Sequence, residues 1–313
     1  MGSRVKVLIT ANSFGKYSSK PREMLENFGF EVVFNPYHRM MTEDEFINEI
    51  KEADAVILST EFLNKAVIDS AEKLKVVSRY GVGLDNVDLA YCKEKGITVT
   101  ITKNANSNAV AEFAISLMFA SLKGICTSNA YAKQNTWKKI EGRDLTGKTV
   151  GLIGLGSIGR EVAKKLSSFD VSLLAYDVYY DESFMSQYEI KKETLENLIK
   201  DSDIITLHVP AVDERPLISE KEFSLMKKDA VLINTARASL IDSEALIKNL
   251  EEGKLFAVGM DVHPNEPHFD ERLFKFENVI LTPHNAAISR EAIDKTSMIA
   301  VENLIKSFNG KNA

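Results

Sequence analysis

The chain has 313 residues, with 39 Lys plus Arg against 45 Asp plus Glu, a net charge of −6 and 44% hydrophobic residues. That length suits two domains of ordinary size, and a slightly acidic chain without a Lys/Arg block lacks the basic face that nucleic-acid binding draws on to displace counterions. Two cysteines, Cys92 and Cys126, make no disulfide framework and fit a reducing, cytoplasmic setting.

The opening MGSRVKVLIT runs straight into a β-branched segment, without the long apolar core of an export signal. VKVLIT, KPREMLENFG, EVVFNP, TEDEFINEIKEA, AVILST, NKAVIDSAEKL and KVVSRYGVG then alternate strand and helix patterns. Such alternation predicts a parallel sheet with helices on its faces, flavodoxin-like in pattern. Gly29 and Gly96 stand where helices should stop, just before EVVF and ITVTI. After a polar hinge, TKNANSN, comes AVAEFAISLMFASLKGI, a helix apolar on nearly every face and therefore buried, between domains or between subunits. Its longest apolar stretch, Phe113 to Leu122, is well short of the roughly 20 residues that span a bilayer, so no membrane partner is expected.

Residues 124–147 are less regular and hold the only tryptophan, Trp137; they read either as a surface loop or as an arm crossing to a second subunit. From Thr146 a second strand and helix series begins, with six predicted strands: KTVGLIG, SLLAYD, DIITLHVP, AVLINTAR, FAVGMDV and NVILTPH. Lys191 and Lys192 read as a solvated helix start. The predicted class is therefore α/β, a doubly wound Rossmann domain over 102–286 beside a smaller flavodoxin-like domain over 1–101 and 287–313. The smaller domain would receive the final amphipathic helix, REAIDKTSMIAVENLIKSFNG. With the sequence ending at Ala313, no added regulatory domain is expected.

Gly154-Leu155-Gly156-Ser157-Ile158-Gly159 follows the strand VGLI and opens a helix. In such a turn the first glycine permits the tight bend, the second lets backbone approach a pyrophosphate, and the third lets helix and sheet pack closely. The helix N-terminus adds unpaired N–H groups and the positive end of the dipole. Asp177 ends the next strand, 18 residues after Gly159 and near the spacing of an acid that binds the adenosine ribose. A carboxylate there accepts from both ribose hydroxyls and repels a 2′-phosphate, so NAD is the expected cofactor rather than NADP.

In open α/β sheets ligands bind beyond the carboxyl ends of the strands. His208 and Pro210 follow DIITL, Arg237 follows VLINTA, Asp261 follows FAVGM, and His284 follows VILTP. Reduction of a 2-oxo acid with a nicotinamide needs a cation for the carboxylate, a proton donor for the carbonyl oxygen, and a group that keeps the donor charged and oriented. Arg237, His284 and Glu266 are the matching types.

GLGSIGRE with its following Asp177, INTARASLID, MDVHPNEP and ILTPHNAA together resemble the D-2-hydroxyacid dehydrogenase family, in its phosphoglycerate-dehydrogenase-like branch. SRYGVGLDNVD and NANSNAVAEFAISLM extend the resemblance over nearly the whole chain. It implies that Arg237 binds substrate, that Glu266 pairs with the histidine, and that His284 is the acid/base. Backbone N–H groups around Tyr80, Gly81, Val82 and Gly83 would hold the substrate carboxylate. Asp261 would help position the nicotinamide, and the cofactor site would further include His208, Val209, Pro210, Thr235, Ala236 and Ala286. The resemblance also implies a cleft between the domains and a homodimer, which favours the arm reading of 124–147.

Some residues depart from the family pattern. Ser59 in ILST stands where phosphoglycerate-type members carry an Arg for the phosphate, which argues against phosphoglycerate. Tyr80 replaces a common Ala, where a phenol would narrow the pocket or add a hydrogen bond. Lys103-Asn104 replaces Pro-Gly in the hinge, and Ala238 and Ala287 replace glycines. His263, Glu266, His268 and Asp270 crowd one Pro-interrupted loop without metal-ligand spacing, so no metal is expected. His38 reads as a surface histidine, and both cysteines as packing residues. The alternative function is an NAD(H)-sensing binding protein of the same fold with little turnover.

Overall fold

A computed structural model describes residues 4–211 and 215–309; positions 1–3, 212–214 and 310–313, which the expected domain ranges include, lie outside the described residues. The chain begins with β1 (Lys6–Ile9), α1 (Lys20–Asn27), β2 (Glu31–Phe34), α2 (Glu43–Ile50), β3 (Ala55–Leu58), α3 (Lys65–Ser70), β4 (Val76–Arg79), α4 (Leu89–Glu94) and β5 (Thr98–Ile101). These strands form a parallel sheet in the order β2-β1-β3-β4-β5. The central strand β3 is buried at every position, as expected for a strand covered by helices on both faces. Local chemistry marks the helix starts: at α2, Thr42 accepts from the Glu45 N–H while Glu45 accepts from the Thr42 N–H.

The chain continues through α5 (Ser107–Lys123), α6 (Ile125–Lys133), β6 (Thr149–Ile153), α7 (Ser157–Leu166), β7 (Ser172–Tyr176), α8 (Glu182–Gln187), β8 (Ile190–Lys192), α9 (Leu195–Asp201), β9 (Ile204–Leu207), α10 (Glu220–Leu225), β10 (Ala230–Asn234), α11 (Ser243–Glu251), β11 (Leu255–Met260), β12 (Val279–Leu281) and α12 (Arg290–Asn309). A seven-stranded, all-parallel sheet runs β12-β11-β10-β9-β6-β7-β8. The six expected strands are joined by β8, so Lys191 and Lys192 lie in an edge strand rather than a helix start. Three residues at an edge, with only Ile190 buried, are too few to show a period of two.

The chain divides into two compact units, Met1–Asn106 with Ile288–Ala313, and Ser107–Ala287. The hinge residues 102–106, expected with the second domain, belong to the first unit. Thr102 donates to the Gly81 carbonyl through both its N–H and its hydroxyl, and Lys295 Nζ donates to Asn104 O. In that unit α12 buries Ala300, Val301 and Leu304 with Val7, Ile9 and Leu25, and the Ser78 hydroxyl on β4 donates to Ala300 O at 2.9 Å. In the second unit α5 packs Ala111, Ala114, Leu117 and Met118 into a core with Leu152, Val162 and Ile233. Among the described residues no single helix is long and apolar enough to cross a membrane.

Candidate active site

Because all strands of the seven-stranded sheet are parallel, their carboxyl ends share one edge. On it, β6 passes through the glycine turn into α7, whose buried residues Gly159, Val162, Ala163 and Leu166 follow a helical stripe. Gly154 has φ +102°, and a Cβ there would lie 2.6 Å from His208 O; one on Gly159 would lie 2.0 Å from Gly154 O. A Cβ on Gly156 would meet no protein atom within 4 Å, so the turn leaves room at that point for a ligand. Ser157 is exposed and Ile158 half-buried at the start of α7.

Asp177 comes to this turn. Its Oδ2 accepts the Leu155 N–H at 2.5 Å, and its Oδ1 accepts those of Val178 and Tyr179 at 2.6 and 3.2 Å. At the end of β9, His208 Nε2 lies 3.0 Å from the Thr206 hydroxyl, and burial pushes the imidazole down to about 4, so it is neutral at neutral pH. Val209 is half-buried over the turn, and Pro210 is exposed. At the end of β10, Thr235 is buried with its hydroxyl unpartnered among the described residues. An open glycine turn, an oriented carboxylate and an orphaned hydroxyl together fit a dinucleotide.

Arg237 is carried by a turn that Asn234 holds. Fully buried, Asn234 donates from Nδ2 to Arg237 O at 2.8 Å and accepts the Ala236 N–H at 3.0 Å. The guanidinium is half-buried, with Nη1 donating to Ala236 O at 2.7 Å.

Two further loops complete the edge. Glu266 follows β11 and His284 follows β12, and the His284 Nδ1 to Glu266 Oε2 distance is 2.8 Å with both side chains partly exposed. Burial raises the Glu266 pKa, but the bonds from His284 and from the His263 N–H outweigh it and hold the carboxyl below its ordinary range. His284 has φ +54°, a left-handed conformation unusual for a side-chain-bearing residue, so its loop must be firmly held. Asp261, expected to help position the nicotinamide, is fully buried beneath this loop. Its carboxylate accepts the Thr282 hydroxyl at 2.6 Å and the N–H groups of Asn285 and Ala286 at 2.8 Å each, so it grips the chain on both sides of His284.

The Tyr80–Gly83 segment belongs to the first unit. There the Tyr80 N–H donates to Leu58 O and the Gly81 N–H to Arg79 O, so two of the four expected donors are already engaged. Arg79, which sequence reading passed over, lies under the segment and donates to the carbonyls of Gly83, Leu58 and Tyr80. The Tyr80 phenol, expected to narrow the pocket or to add a hydrogen bond, makes hydrogen bonds to α12: it donates to Ile293 O at 3.1 Å and lies 3.0 Å from the Ser297 hydroxyl. Burial raises its pKa. Lys103 and His38 are exposed.

Asn234 and Asp261 escaped notice as anchors because a buried polar residue inside an apolar run announces no partner. His263 carries the same lesson. Among the described residues no group of His, Cys, Asp and Glu is placed to hold a metal. Cys92 is buried, but Cys126, expected to pack, is exposed on α6, which has no fully buried residue.

Residues 115–286 match the family described as D-isomer specific 2-hydroxyacid dehydrogenase, NAD binding domain. The chain is 38% identical over 278 residues to a D-3-phosphoglycerate dehydrogenase of Methanocaldococcus jannaschii, covering 87% of this chain but 53% of that protein, so it spans about half the length of that relative. It is 34% identical over 300 residues to a glyoxylate reductase of Thermococcus litoralis, covering 92% of this chain and 90% of the relative. Among solved structures it resembles D-lactate dehydrogenase from Aquifex aeolicus complexed with NAD and lactic acid, with a TM-score of 0.82 and 27% identity over 98% and 96% of the two chains.

Proposed function

We propose that this chain, which belongs to the D-isomer specific 2-hydroxyacid dehydrogenase family of NAD-dependent oxidoreductases, interconverts a small 2-oxo acid and its D-2-hydroxy acid. The observation that carries the reading is the 2.8 Å pair of Glu266 and His284 on strand-end loops of the sheet that also bears the glycine turn. The glycine turn, with Asp177 at the adenosine ribose and Thr235, would hold the dinucleotide, which would supply a hydride to C2 of the substrate as NADH and accept one from it as NAD+.

The protein's own groups do the rest. Arg237 binds the substrate carboxylate, for which a guanidinium offers a planar pair of donors. His284 gives a proton to the carbonyl oxygen during reduction and takes it back during oxidation. Glu266, held ionised, fixes the imidazole by its Nδ1 and leaves Nε2 for the substrate. Asp261 and Asn234 hold the segments that carry His284 and Arg237.

The substrate is small and carries no phosphate. Ser59 replaces the cationic side chain a phosphate would need, and among the activities named for relatives glyoxylate reduction fits best. A homodimer through residues 124–147 is part of the proposal, supported by Trp137, which is 95% exposed in the single chain. Cytoplasmic placement is supported by two free thiols.

Loss of NADH absorbance, followed with purified protein against glyoxylate, hydroxypyruvate, pyruvate, oxaloacetate, 2-oxoglutarate and 3-phosphohydroxypyruvate, tests the reading. Glyoxylate or hydroxypyruvate should lead the panel and the phosphorylated acid should trail. No turnover on any of them, with NADH still bound, would overturn the reading in favour of a nucleotide sensor.

A further inference from the structure

His263 has no part in the chemistry assigned above, yet it touches both loops that perform it. The residue is buried, 6% exposed, and its ring meets that of Phe269 edge-on at 4.5 Å. Its backbone N–H donates to Glu266 Oε1 at 3.0 Å, and its ring Nε2 lies 2.9 Å from Thr282 O. That same carbonyl accepts the His284 N–H at 3.0 Å, and His284 Nδ1 returns to Glu266 Oε2 at 2.8 Å. The four residues therefore close a ring of hydrogen bonds: His263 to Thr282, Thr282 to His284, His284 to Glu266, and Glu266 back to His263.

A closed ring fixes what an open pair leaves loose. An isolated imidazole and carboxylate, both partly exposed, can turn about their side-chain bonds, and small errors of orientation are costly in proton transfer. In the ring the one side-chain link between the two loops is the His263 imidazole; the remaining links are the acid–base pair itself or backbone. We infer that His263 is a positioning residue that sets the orientation of the Glu266–His284 pair by tying the Glu266 loop to the His284 loop. A carbonyl acceptor requires the proton on Nε2, which leaves Nδ1 as a bare lone pair in the neutral ring; that atom is buried and has no partner among the described residues.

The inference rests on the acid–base reading of His284, and the test separates the two. His263→Phe keeps a ring against Phe269 and removes the donor, while His263→Gln restores an N–H of similar reach. With the 2-oxo acid that the wild type turns over best, kcat of the Phe variant should fall about tenfold or more while its NADH affinity, read by fluorescence, stays within about twofold; the Gln variant should recover most of the loss. A Phe variant with kcat near wild type, or one that loses NADH affinity in step with kcat, would overturn the assignment.

Two readouts do not depend on turnover. In the wild type, nitrogen-15 histidine NMR should find His263 protonated on Nε2; a proton on Nδ1 overturns the link even if neither variant folds. The hydrogen-bonded Nδ1–H of His284 should give a far-downfield proton signal in wild type and in the Gln variant and lose it in the Phe variant. An unchanged signal in the Phe variant would overturn the inference. Silence of the wild type on every 2-oxo acid would instead overturn the proposed activity and leave these readouts intact.

Discussion

The glycine turn and the loops bearing Glu266 and His284 lie on the carboxyl edge of one sheet, but they are held by different means. The turn is shaped mainly by close backbone packing that leaves no room for a side chain: Gly159 accommodates the carbonyl of Gly154, five positions away, and Gly154 that of His208. The acid–base loops are held by side chains remote in sequence, with Asp261 gripping residues 282–286 and His263 reaching Thr282. A turn built from absent side chains tolerates little addition, whereas loops built from side-chain bonds fail by subtraction.

The largest expected effect comes from subtraction at the chemistry. His284→Asn keeps a similar size and removes the titrating group, so kcat should fall by roughly 10²–10⁴ with NADH affinity little changed; steady-state kinetics beside nucleotide titration would show it. Near-normal turnover would remove His284 from its role.

Addition at the turn should come next. Gly159→Ala places a Cβ where the Gly154 carbonyl lies, so the turn must shift. The variant should lose about 1–3 kcal/mol of stability and bind NADH at least tenfold more weakly, as thermal melts with and without nucleotide would report. A variant melting and binding like wild type would show that the turn is less constrained than its geometry indicates.

The smallest effect concerns His208, at the end of β9, whose backbone packs against the glycine turn. Its folded value near 4, against the ordinary 6.5, means that the unfolded chain binds more protons between those pH values. Stability therefore rises with pH through that window, is fully present above it, and is lost as pH falls, by at most about 3 kcal/mol. His208→Gln should flatten that part of the curve in denaturant titrations at several pH values. An unaltered slope would assign the acid sensitivity to other groups.

The two regions also differ in how readily they were read. Glycine spacing, the strand before it, the helix after it and Asp177 are local features, and Asp177 does reach the turn through Leu155. The residue types of the acid–base pair were equally visible: His284 follows an apolar strand, and Glu266 is a carboxylate of the kind such a histidine needs. Their supports were not: nothing in the sequence ties Asp261 to residues 282–286, or singles His263 out of a crowded loop. For Tyr80 the residue type allows a hydrogen bond but not its partners, Ile293 and Ser297, more than two hundred positions along the chain.

Alternating apolar runs, punctuated by glycines and caps, were enough to establish two α/β units and their strand ends, because strand and helix periods are properties of neighbouring residues. The short edge strand β8 lay beyond them, having too few residues to display a period. Which N–H groups are already engaged, which carboxylate grips a loop, and how one histidine links two loops were decided only by tertiary structure. Each depends on which partner satisfies a buried polar group, and in this fold those partners come from distant strands brought side by side.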